Sequence, residues 1–263
     1  MCGIAGYSLA PHSRVERTLA AQALLAAIAE RGADAVGYAY TAPENDGPAV
    51  VVKQQTAASK LLEHVSVPSS TNELIVHVRE FTKGHPSIAA NNHPVRHGPV
   101  VGVHNGRILN DDELLGRHAC ARAEPRMTVD SEAVFAVAAH SRSDARAFEA
   151  LEGSMAAAWI DERRRGVVHA ARGVGRPLWL GECSDGIFFA STEYALEVLE
   201  RYCGPKLRRR PMPDGALLVL HHGKIVARQK FRPSSYGEED PLPAGGLAER
   251  DHCLRRLATL AAA

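Results

Sequence analysis

The sequence predicts an α+β protein in which two packed sheets are covered by helices. Three observations predict it. Short apolar segments of strand character recur along the chain, helical segments gather toward its two ends, and 263 residues can bury one large core or two modest ones.

The elements follow in order. Residues 1–9 read as a buried strand, with Ile4, Ala5, Tyr7 and Leu9 apolar. Residues 14–30 are rich in alanine and leucine and read as a helix that ends before Gly32. Residues 36–41 and 49–53 read as strands around a Pro- and Gly-bounded loop at 43–48, and 74–78 as a strand leading into a polar, histidine-rich segment at 79–98. In residues 99–109 two apolar arms flank Asn105-Gly106, and Asn-Gly between strands is a strong hairpin signal. Residues 130–140 read as a helix capped from the 128–130 region, with Glu132 in its first turn. Strands are expected at 156–161, 167–171, 177–181 and 187–191, then a helix at 192–202 and a hairpin of 215–221 with 224–231 about His222-Gly223. From Arg232 the composition shifts to Pro, Gly, Ser and acidic residues, with a short helix at 247–261. The expected organisation is a domain at 2–231 and a tail at 232–263.

Charge excludes some functions. Thirty-one basic and 30 acidic residues give a net charge of +1, so no global field favours nucleic acid or an anionic membrane. The runs Arg163–Arg165 and Arg208–Arg210 adjoin Gly or Pro and read as solvated turns. Five cysteines without a C-x-x-C pair imply neither a disulfide framework nor a thiolate zinc site. With no membrane-length apolar stretch and no signal-peptide pattern, the expected location is the cytoplasm.

Chemistry enters at Cys2, directly behind Met1. Once Met1 is removed, one residue carries a thiol nucleophile and an α-amine that titrates near pH ~8, where a general base should sit. Amide cleavage also needs donors for the oxyanion and a clamp for each charged end of the substrate. Gly106 offers a backbone N–H and Asn105 a side-chain amide. Arg79 ends a predicted strand and can fork a carboxylate, and Asp130 opens a predicted helix and can pair with an ammonium.

Together the segments Met1–Gly6, Arg31–Gly37, His77–Gly84, His104–Gly106 and Asp130–Glu132 resemble, in order, the motifs of the class II glutamine amidotransferase domain. Segments at 151–154, 170–178 and 188–191 resemble its second half, so the likeness covers roughly residues 2–230. The resemblance implies the four-layer αββα sandwich of N-terminal-nucleophile hydrolases. It implies Cys2 as nucleophile with its own amine as base, Asn105 and Gly106 as oxyanion hole, and Arg79 and Asp130 on the α-carboxylate and α-amine of L-glutamine. Thr82 falls in the glutamine-binding segment. No cofactor is implied. The product is ammonia, for a separate synthase or acceptor subunit; hydrolysis of other γ-glutamyl amides or peptides is the alternative. Glu80 and Lys83 depart from the aromatic residue and histidine usual at these positions in the subfamilies joined to sugar-phosphate or purine synthases. The histidines between 77 and 104 match no metal-ligand spacing and are expected to orient the Asn105-Gly106 segment rather than hold a metal.

Overall fold

A run of alternating side chains sets the first element. In β1 (Gly3–Leu9), Ile4 faces one apolar layer while Ala5, Tyr7 and Leu9 face another. Every residue of this strand is buried, as a central strand requires. The computed structural model describes residues 1–42, 47–117, 120–234 and 246–262. Residues 43–46 of the expected loop at 43–48, and most of the tail segment before the last helix, lie outside the described residues.

The chain continues through α1 (Arg17–Ile28), β2 (Ala35–Tyr40), β3 (Val50–Gln54), α2 (Ala58–Leu61) and β4 (Glu73–Arg79). Then come β5 (Val95–His97), β6 (Val100–Ile108), α3 (Asp111–Arg117) and α4 (Ser131–Ser141). The strands β7 (Gly153–Asp161), β8 (Val167–Arg172), β9 (Trp179–Cys183) and β10 (Gly186–Ala190) precede α5 (Glu193–Cys203). The last elements are β11 (Arg208–Pro211), β12 (Ala216–His221), β13 (Lys224–Lys230) and α6 (Gly246–Leu260). Caps fix the long helices: the Glu16 carboxylate accepts from the amides of Thr18 and Leu19, and the Thr192 hydroxyl from Ala195 at 3.2 Å.

The strands form two antiparallel sheets, ordered β11-β9-β10-β1-β4-β2-β3 and β13-β12-β8-β7-β6-β5. Ile4, Ile75, Val101, Val103, Ile160 and Phe189 fill the space between the sheets. On the outer face of the first sheet, Tyr7 and Leu9 meet Leu24 and Ile28 of α1, Leu196 of α5 and Leu257 of α6. On the outer face of the second, Trp159 meets Phe148 and lies in one layer with Phe135 of α4. Each fully buried large apolar side chain contributes about 1.5–3 kcal/mol. The result is helix, sheet, sheet, helix: the four-layer α+β sandwich expected from the resemblance.

Two expectations need correction. Asn105-Gly106 is no hairpin tip. It lies inside β6, paired in unbroken register with β7 as Asn105↔Ala156 and Gly106↔Met155. Its two apolar arms are the halves of one buried strand rather than two strands facing each other, and the turn falls earlier, between β5 and β6. Arg208–Arg210 is not a turn but the edge strand β11, with Arg209 ion-paired to Glu197 at 2.8 Å and Arg210 to Glu182. The short elements β5, α2 and α3 were not expected, being too brief to show a period. Among the described residues no helix is long and apolar enough to cross a membrane.

Candidate active site

Strand register brings the first two site residues together. β1 pairs with β4 through Gly3↔Val78, so one step further places Cys2 beside Arg79. The Cys2 thiol donates to the Glu80 carbonyl at 3.3 Å, and Arg31 Nε donates to the Cys2 carbonyl at 2.9 Å. Gly32 makes this approach possible, because a Cβ there would lie 2.5 Å from the Arg79 carbonyl oxygen.

A small cavity opens at this corner of the sandwich. Cys2, Arg79, Thr82, Gly106 and Asp130 all line it, together with Lys83 and His93. Asn105 does not reach the cavity wall, yet its buried Nδ2 has no hydrogen-bond partner among the described residues. A buried amide donor left unpaired is costly unless a ligand takes it up. Gly106 sits at φ +148°, and a Cβ there would stand 2.0 Å from the Ser154 carbonyl oxygen. The residue beside Asn105 must therefore be glycine.

Arg79 is 2% exposed and its guanidinium is held from one side. Nη1 donates to Asn92 Oδ1 at 2.7 Å, and Nη2 to the carbonyls of Lys83 and Gly84 at 2.9 and 2.5 Å. Three of its five N–H groups are thus engaged, which fixes the plane of the fork and leaves donors for a carboxylate. Burial pulls its pKa down, and nearby Cys2, Asp130 and Asp34 offset this.

Asp130 stands immediately before α4 but does not cap it. Its Oδ2 instead accepts from the Ile108 amide of β6 at 2.7 Å, which turns the carboxyl toward the strand that carries Asn105 and Gly106. Burial, with Asp111 nearby, raises its pKa to about 6. An ammonium brought into the cavity would repay that burial by holding the carboxylate ionised. The Cys2 thiol is also raised, by burial, with Arg79 pulling the other way. It therefore needs a base before it attacks.

The histidines brace this corner, as expected for the Asn105-Gly106 segment, but from strands as well as loops. His77 Nε2 lies 3.1 Å from the His104 carbonyl, and His104 Nδ1 lies 2.8 Å from Ser131 Oγ. Burial lowers His77 to about 3 and His104 to about 4, so both are neutral at physiological pH. His93 was not singled out by sequence. It stacks on His77 at 4.1 Å, lines the cavity, and has no partner at either ring nitrogen among the described residues. Nothing in its spacing distinguished it from the other loop histidines. Lys83 spends its charge elsewhere: Nζ binds both oxygens of Asp111 at 2.7 Å and Asp112 at 3.3 Å. Burial works against the charge, but these carboxylates carry its pKa upward.

Known proteins resemble this chain in sequence and in fold. A family model described as a glutamine amidotransferase domain matches residues 83–198. The glutamine–fructose-6-phosphate aminotransferase (isomerizing) of Gluconobacter oxydans (strain 621H) is 33% identical over 219 residues, covering 76% of this chain and 33% of that protein. Among solved structures, the glutamine phosphoribosylpyrophosphate amidotransferase of B. subtilis, complexed with ADP and GMP, superposes with a TM-score of 0.65 at 18% identity, covering 87% of this chain and 49% of that one. A glutamine aminotransferase class-II domain protein from Silicibacter pomeroyi gives 0.58 at 17% identity, covering 88% of this chain and 100% of that one. The chain spans about a third of the curated relative and about half of the B. subtilis structure. It carries a class II glutamine amidotransferase domain, built in the fold of the N-terminal-nucleophile amidotransferases.

Proposed function

We propose that this chain hydrolyses the side-chain amide of L-glutamine through a γ-glutamyl thioester on Cys2, once Met1 has been removed. The single observation that carries this reading is the convergence of Cys2, Arg79, Gly106 and Asp130 on one cavity. The substrate's α-carboxylate lies on Arg79 and its α-ammonium on Asp130, so the two clamps set the distance at which the side chain reaches Cys2. Thr82, exposed at the rim, closes on the bound amino acid.

The α-amine of Cys2 takes the thiol proton, and Sγ attacks the amide carbon. The Gly106 N–H receives the charge that develops on the carbonyl oxygen, and the unpaired Asn105 Nδ2 turns toward the cavity to share it. Collapse expels ammonia, which leaves with the proton returned by the amine. Water then cleaves the thioester by the same route and releases glutamate. A separate acceptor subunit consumes the ammonia, and the balanced charge and soluble composition support a cytoplasmic setting without nucleic acid or membrane partners.

The test is glutamate release from glutamine, asparagine and a γ-glutamyl dipeptide, with Cys2→Ala and a form retaining Met1 as controls. Glutamine turnover lost in both controls is the expected result. Undiminished turnover in Cys2→Ala sinks the mechanism. Preference for the dipeptide over glutamine moves the function to γ-glutamyl peptide hydrolysis on the same machinery.

A further inference from the structure

A second group of reactive side chains lies outside the cavity, on the face where α4 ends. One ring nitrogen of His97, one of His140 and the Sγ of Cys120 lie within 4.8 Å of one another. They come from three places: the last residue of β5, the final turn of α4, and the segment after α3. The Cys120 Sγ is 3.5 Å from His140 Nε2. In a tetrahedral zinc site with Zn–S near ~2.3 Å and Zn–N near ~2.0 Å, neighbouring sulfur and nitrogen ligands stand about 3.5 Å apart. That pair already has the spacing.

Hydrogen bonding sets both imidazoles for ligation. His140 Nδ1 is 2.8 Å from the Ala136 carbonyl, an oxygen that only accepts, so Nδ1 carries the hydrogen and the lone pair is on Nε2. His97 Nδ1 is 3.0 Å from Glu132 Oε1. That oxygen also accepts from the Ala123 amide at 2.6 Å, and Arg122 Nη1 lies 3.2 Å from Oε2. Glu132 is thus held ionised as an acceptor, and its His97 partner presents Nε2 as the lone-pair nitrogen. A carboxylate or backbone carbonyl behind each ring is the outer-shell arrangement that orients metal-binding histidines.

We infer that His97, Cys120 and His140 form a site for zinc or a comparably thiophilic divalent transition metal, with the fourth tetrahedral position left to water or another ligand. On binding, the Cys120 thiol loses its proton to solvent while both imidazoles coordinate neutral. The metal fastens the segment after α3 to α4, the helix that Asp130 precedes. Sequence spacing hid the site, because its three residues stand 23 and 20 positions apart, far from any short ligand motif.

Cobalt(II) and zinc(II) added to the full chain test this, in a Cys2→Ala background so that the nucleophile does not compete. The expected result is one equivalent of Co²⁺ bound with the strong visible bands of tetrahedral cobalt and a near-ultraviolet thiolate-to-metal band. Cys120→Ser in that background should abolish the thiolate band, and Cys120→Ser and His140→Ala should each weaken Zn²⁺ binding, measured by chelator competition, by at least about tenfold. No stoichiometric binding to the Cys2→Ala protein overturns the inference, and so does a thiolate band that survives Cys120→Ser. The first of these outcomes needs no further variant, so a folding defect in one does not shelter the proposal.

Discussion

His104 and Ser131 hold the two sides of the cavity in register: the imidazole Nδ1 stands 2.8 Å from the hydroxyl. His104 lies in β6, one residue before Asn105, and Ser131 opens α4, one residue after Asp130. His104 Nε2 faces the Ser154 carbonyl at 3.3 Å and so carries the hydrogen, which makes Nδ1 the acceptor of the serine hydroxyl. One hydrogen bond therefore sets Asn105 and Gly106 against Asp130.

Ser131→Ala leaves a buried imidazole acceptor without its donor, at a cost of about 1–3 kcal/mol in unfolding free energy. The expected kinetic effect is a fall in kcat/KM for glutamine of several-fold, because two groups that must be spaced together are no longer tied. Ser131→Thr keeps the hydroxyl and should recover most of that loss. Equal stability losses in both variants with unchanged kcat/KM would show that the bond serves packing alone.

Arg79→Lys keeps the charge but replaces the planar fork with a point donor, and it gives up bonds to Asn92 Oδ1 and the carbonyls of Lys83 and Gly84. We expect kcat/KM for glutamine to fall by on the order of tenfold or more, chiefly through KM. A KM within twofold of wild type would remove Arg79 from carboxylate binding.

Asp130 gives the site a pH dependence whose sign can be worked out. Its ordinary value of 3.8 is raised to about 6 in the fold, so between those values the folded protein holds a proton that the unfolded chain has lost. The stability tied to this group is present below pH ~4 and is lost as pH rises through about 6. Asp130→Asn removes that loss while keeping an oxygen for the Ile108 amide, so the variant should melt higher than wild type at alkaline pH. Ammonium binding needs the carboxylate, so the wild-type KM should rise as pH falls through about 6, and the variant should show a high, pH-independent KM. A wild-type KM that stays flat from about pH 5 to pH 8 would refute the pairing.

Leu257 in α6 is fully buried against the helices that cover the first sheet. Leu257→Ala should cost about 2–5 kcal/mol in chemical denaturation, with the KM for glutamine unchanged. A loss under about 1 kcal/mol would make α6 an appendage rather than part of the fold.

Much of this was legible in the sequence because the informative patterns are local. The apolar residues at 4, 5, 7 and 9 located β1 and, with it, the position of Cys2. The alanine- and valine-rich run after Asp130 located α4 to within one residue at each end. What failed were inferences in which a local signal competes with tertiary pairing. Asn105-Gly106 has hairpin chemistry, but β7 lies alongside and pairs straight through it. Asp130 has the residue type of a cap, but the Ile108 amide claims its carboxylate. His93 and the His97–Cys120–His140 group carry no local signal at all, since only the folded chain brings their partners within reach.

The last helix also bears on the first residues. Arg250 of α6 pairs with Glu30 at 2.6 Å, and the next residue, Arg31, grips the Cys2 carbonyl at 2.9 Å. The two ends of the chain are coupled across three side chains. A shift of α6 by even part of a turn would therefore be felt, through Glu30 and Arg31, at the seat of the thiol.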